Sequence, residues 1–142
     1  MKRSWKYILF ATLLFLPMTR VNVYACVCAG NRPPCEAYWE ASAVFAGIVT
    51  NSSLTSVKEG DQQYQQMLVS FAIEEAFRGL QGTTAEVITG IWGGDCGFGF
   101  KRGERYLVYT YTNPQDNKLY TSICQRTRAL SEAGEDHFCS PS

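Results

Sequence analysis

The chain has 142 residues, is 46% hydrophobic and 13% aromatic, and balances 13 Lys and Arg against 13 Asp and Glu, which describes one globular domain rather than a disordered chain. Lys2, Arg3, Lys6 and Arg20 all precede residue 26 and no acid does, so residues 26–142 carry a net charge of −4. An acidic remainder without a Lys/Arg cluster has no footprint for phosphate backbones, and nucleic acid is not an expected partner.

In chain order, the basic residues Lys2, Arg3 and Lys6 lead into an apolar run from Tyr7 to Leu16, which Pro17 ends. This is the order of a signal peptide, with Val23 and Ala25 as the small residues before the cut. The run is too short for the ~20 apolar residues that a membrane-crossing helix needs, so no span is expected. Residues 1–25 are therefore expected to be removed and the mature chain to begin at Cys26, placing the protein outside the cell, or in the periplasm or on the surface of a bacterium. A lipoprotein signal is the rival reading, although Tyr24 fits it poorly.

Cys26, Cys28, Cys35, Cys96, Cys124 and Cys139 all follow that cut. An even number of cysteines in an exported chain predicts three disulfides. The competing metal site on Cys26-Val27-Cys28 lacks the usual two-residue spacer, and His137 is the chain's single histidine. Six cysteines allow fifteen pairings, and spacing alone selects none.

A short helix is expected over Cys35–Ala41, behind Pro33-Pro34. Runs rich in β-formers predict strands at Ala43–Val49, Tyr64–Ile73 and Ala85–Ile91. Arg105–Tyr111 and Leu119–Ile123, joined by the turn-forming Asn113–Asn117, predict a hairpin. A second helix is expected over Arg128–Ala133, with Thr127 as its cap, leading toward His137 and Cys139. The fold class read from this pattern is mainly β: a five-stranded OB-type barrel with two flanking helices, a sandwich being the alternative. Gly47 marks a bend or bulge in the first strand.

No catalytic pattern stands out, and the chain reads as a non-enzyme without a cofactor. The run Gly93-Gly94-Asp95-Cys96-Gly97-Phe98-Gly99 has neither the GxGxxG order nor a P-loop lysine, and reads as turn-forming glycine. His137 beside Asp136 reads as a surface residue. Asn51-Ser52-Ser53 matches the N-glycosylation sequon, which matters only in a eukaryotic host.

One ordered series resembles a known family: Cys26-Val27-Cys28 at the mature start, then Cys35, then Val44-Phe45-Ala46-Gly47. Asp95-Cys96-Gly97-Phe98 and Thr121-Ser122-Ile123-Cys124 complete it. The series is similar to the N-terminal, netrin-like domain of the tissue inhibitors of metalloproteinases, in a single-domain form over residues 26–142. The resemblance implies a Greek-key OB fold and the pairings Cys26 with Cys96, Cys28 with Cys124, and Cys35 with Cys139. It also implies a monomeric inhibitor of zinc metalloendopeptidases. Cys26 would chelate the protease zinc through its free α-amino and carbonyl groups, the only metal contact expected. Val27 would enter the specificity pocket, and Cys28, Ala29, Gly94 and Asp95 would complete the inhibitory edge. The chain departs from the animal pattern at Asp95, a carboxylate near that edge, and at Ala29-Gly30, where a stiffer proline-containing stretch is usual. A non-inhibitory netrin-like binding module, lipid-anchored at Cys26, is the alternative.

Overall fold

The computed structural model describes residues 26–30, 32–91, 95–134 and Cys139. The expected signal segment, Gly94 and His137 lie outside the described residues. Among the described residues no helix is long and apolar enough to cross a membrane.

Helix α1 spans Pro34–Glu40. Pro34 opens it, because a fixed φ and a missing N–H cost nothing in a first turn. It ends where Ala41 becomes extended, after its N–H bonds Ala37 O. Tyr38 is the residue it buries, 2% exposed, with its hydroxyl donating to Phe77 O at 2.8 Å.

The strands are β1 (Ala43–Glu59), β2 (Gln62–Arg78), β3 (Thr84–Thr89), β4 (Arg105–Thr112), β5 (Leu119–Tyr120) and β6 (Arg128–Ala129). They pair in the order β1-β2-β3-β5-β4-β6, and β1 also pairs with β4, so five strands close into a ring. Every pairing is antiparallel except β3 with β5. Closure leaves no long open edge in the barrel itself. Phe45, Val49, Val69, Phe71, Val87 and Val108 fill the interior, while Tyr38, Val44, Leu107 and Tyr109 form a second cluster with α1. That double burial explains why the start of β1 and most of β4 are apolar at successive positions instead of alternating.

Gly47 lies at a register shift between Ala46 and Gly47, as the bend reading expects. A Cβ there would stand 2.8 Å from Ala72 O, too close for any side chain. A second irregularity between Val49 and Asn51 leaves Thr50 over, and its hydroxyl donates to Ser70 O at 3.0 Å.

Three expectations need correction. The first two strands do not stop at Val49 and start at Tyr64; they continue as a two-stranded arm that turns only at Gly60-Asp61. Asn51-Ser52-Ser53 reads as a turn by composition, yet cross-strand hydrogen bonds satisfy its backbone, and Gly60 at φ 60° makes the real reversal. The expected fifth strand, Leu119–Ile123, is reduced to Leu119–Tyr120, because Thr121 already turns inward. The helix over Arg128–Ala133 is absent: Arg128 and Ala129 add β6 to β4, and a 3-10 turn covers Leu130–Glu132. Thr127 does not cap a helix. Its buried hydroxyl accepts the Tyr109 N–H at 2.9 Å, which holds the following residues against β4.

On β5, the Tyr120 hydroxyl donates to Asp116 Oδ2 at 2.8 Å. Burial first, and then that carboxylate, push the phenol from 10.0 up to about 12. A folded pKa above the unfolded one gives stability that is complete below pH 10 and is lost as pH rises through about 12. Ultraviolet titration is expected to show one tyrosine ionising near the top of that window, and Asp116→Asn is expected to move its step downward.

Candidate functional site

The mature N-terminal segment has little hydrogen bonding of its own; a bond from Gly30 N to Cys28 O at 2.9 Å turns it back. Disulfides hold it instead. Cys26 is bonded to Cys96 and Cys28 to Cys124, with Cα–Cα distances of 5.5 and 5.2 Å. Cys35 is bonded to Cys139, tying α1 to the far end of the chain. These are the pairs that the resemblance implies, and no described cysteine is free. With both sulfurs of Cys26-Val27-Cys28 in disulfides, the segment has no thiolate for a metal. Among the described residues no cluster of His, Cys, Asp and Glu could hold one.

Each anchor is itself anchored. Cys96 sits in the left-handed region at φ 60°, a conformation that costs a non-glycine residue ~1 kcal/mol or more. Its carbonyl accepts the Ile123 N–H at 2.9 Å, joining the two cysteine loops directly. The Cys124 loop is fastened by Thr121 and Thr127, whose hydroxyls lie 2.9 Å apart and both donate to Tyr109 O. The Cys96 loop is plugged by Phe98 and Phe100. Their rings meet Phe71 and Tyr106 edge-on, and Phe98 N–H donates to Thr89 Oγ1 at 2.8 Å. Gly97 lies so close to Gly90 that a Cβ would overlap the Gly90 carbonyl. Gly97→Ala is therefore expected to push the Cys96 loop away and to cost about 2–3 kcal/mol, measured by denaturant unfolding.

Between these anchors Val27 is 91% exposed. An aliphatic side chain held out in water between two bridged cysteines buries nothing within its own chain. Ala29 and Gly30 beside it are also exposed. Asp95 stands next to Cys96, but its carboxylate turns back into its own loop: Oδ2 accepts the Ile91 N–H at 2.7 Å, over Gly90, where a Cβ would meet it. The carboxylate is thus a loop brace. Of the edge expected from the sequence, Cys26, Val27, Cys28, Ala29, Asp95 and Cys96 come together around two disulfides.

The sequence reading missed the surface beside this edge. A groove of about 490 Å³ runs from Cys28, Ala29 and Gly30 past Ile123 and Tyr111 to Arg126 and Glu40. Ile123 is 47% exposed, although the sequence places it inside a strand. Its position before an exposed, bridged Cys124 was the available signal. Arg126 Nη1 donates to Arg32 O at 2.8 Å, and Arg32 pairs with Glu40, which closes one side of the groove. No protein-family model matches the chain, and no curated protein matches it.

Proposed function

We propose that the chain is a secreted inhibitor of zinc metalloendopeptidases, in which mature Cys26 ligates the protease zinc through its α-amino nitrogen and carbonyl oxygen. The observation that carries this reading is Val27, fully presented to solvent between two cysteines that are both pinned to the barrel. On this reading the signal peptide is cut after Ala25 and the α-amine of Cys26 becomes free. The barrel is read as an OB-type Greek key, which the ring order and the parallel β3–β5 pair support.

The chemistry follows from the open position that a catalytic zinc keeps for water. A neutral amine and the carbonyl one residue later in the same backbone unit reach one metal together and displace that water. No thiolate takes part; the sulfurs hold the ligating backbone in place before the encounter, so little ordering entropy is lost on binding. Val27, stiff at χ1, fills the apolar pocket next to the zinc. Asp95, braced to Ile91 N–H, keeps its charge turned from the metal. A protease rim seated on Val27 then meets Ile123 and the groove behind it.

The test is the chain produced to begin at Cys26, assayed against a panel of zinc metalloendopeptidases with serine proteases as controls. Inhibition of at least one zinc enzyme and of no control is expected. It should weaken as pH falls below the ordinary α-amine pKa of about 7.7–8.0, because the ligand must lose its proton. A chain that inhibits none leaves the lipid-anchored, non-inhibitory binding module as the better reading.

A further inference from the structure

The arm formed by the outer parts of β1 and β2 does not stand free. Val57 and Tyr64 are directly opposed, as are Thr55 and Gln66, so these four share one face. Thr55, Val57 and Gln66 are half-buried, whereas Leu54, Ser56 and Lys58 on the other face are exposed. The shared face looks onto the β4–β5 turn across a cleft of about 160 Å³. Tyr111 and Tyr120 stack in its floor, with ring centroids 5.9 Å apart and planes at 28°. Asn113 and Gln115 line its rim.

Inside it lies an unpaired group: among the described residues, Gln66 Oε1 is buried and has no hydrogen-bond partner. A buried, unsatisfied amide end costs roughly 1–3 kcal/mol, so such a group calls for an occupant. The lining describes that occupant. A cation or an anion is not selected, since Lys58 and Glu59 are adjacent and oppose each other. A wholly apolar group leaves Gln66 unpaired. A hydroxyl satisfies the buried end whichever way the amide is turned, because it both donates and accepts. The tyrosine faces, 41% exposed at Tyr111 and 45% at Tyr64, carry negative π-density that attracts the slightly positive C–H face of a ring.

We propose that this cleft is a binding site for a neutral saccharide unit, with one sugar hydroxyl on Gln66, the ring's C–H face on tyrosine, and Asn113 and Gln115 taking outer hydroxyls. The site is separate from the Cys26 edge and does not rest on the inhibitory reading. Tyr111 lines both this cleft and the larger groove, so the two surfaces are neighbours.

The experiment titrates the disulfide-intact chain with glucose, galactose, mannose and N-acetylglucosamine, followed by amide and side-chain NMR shifts. Sorbitol is the control, with hydroxyls but no ring. At least one ring sugar is expected to bind with Kd on the order of 1 mM, shifting the Gln66 side-chain amide and the Tyr64 and Tyr111 signals. Gln66→Leu and Tyr64→Ala are each expected to weaken it about tenfold, while the signals of the barrel residues Val69 and Val87 stay in place. The proposal is overturned if no sugar binds, if the shifts map elsewhere, if sorbitol binds equally, or if both variants bind as the parent does.

Discussion

Replacing Cys28 and Cys124 together by serine is expected to cost about 3–5 kcal/mol of stability and to weaken inhibition as well. The bridge closes a loop of 96 residues, worth ~4.7 kcal/mol in the chain-entropy model, an upper figure because the three loops overlap. For a domain of this size the melting temperature should fall by roughly 15 °C. The effect on inhibition has a separate origin. Without Cys124, the backbone after Cys26 keeps one disulfide and a local turn, and each residue that must be ordered on binding costs ~1–2 kcal/mol. A loss of roughly 10–100-fold in inhibition follows. The matched control is the pair Cys35→Ser with Cys139→Ser, which opens a loop of 104 residues away from the edge. It should destabilise by a similar amount and leave inhibition at low temperature nearly unchanged. Equal loss of inhibition in both pairs would mean that the disulfides act only through global stability.

One alanine added before Cys26 is expected to raise the inhibition constant by about 100-fold or more, ~2.8 kcal/mol, with no change in melting temperature. The addition turns the Cys26 nitrogen into a peptide amide, whose lone pair is delocalised and does not ligate zinc, and puts the new amine ~3.8 Å further along the chain. Nothing in the fold should respond, since Val27 is exposed and both flanking cysteines keep their partners. Such a variant, folded and fully inhibitory, would falsify chelation by the Cys26 amine.

The strands at Ala43, Tyr64, Ala85 and Arg105 were legible because β-branched and aromatic residues crowd there, and α1 because Pro33-Pro34 marks its start. Helix and loop were confused where a local signal served a distant partner. Thr127 has the chemistry of a cap, but its hydroxyl is spent on Tyr109, 18 residues away. The polar Asn51–Gln63 stretch reads as loop, but pairing between strands, invisible to a local window, makes it an arm. At the candidate site, Cys26-Val27-Cys28 and Cys96 could be picked out by type and position. Pairing could not be derived from spacing; only the family resemblance implied it. Asp95 was placed correctly beside Cys96, yet the direction of its carboxylate depends on Gly90, whose bare α-carbon makes the room. Tyr111 was lost because most of β4 is buried on both faces, which erases the alternation that marks an outward side chain.

The central claim concerns two atoms of one residue, so the most direct measurement is zinc-edge X-ray absorption of a metalloendopeptidase before and after it binds the chain that begins at Cys26. The account predicts that the bound water is replaced by one nitrogen and one oxygen at about 2.0–2.2 Å, with no sulfur contributed by the inhibitor. A new sulfur scatterer near 2.3 Å, or a zinc shell unchanged on binding, would contradict it.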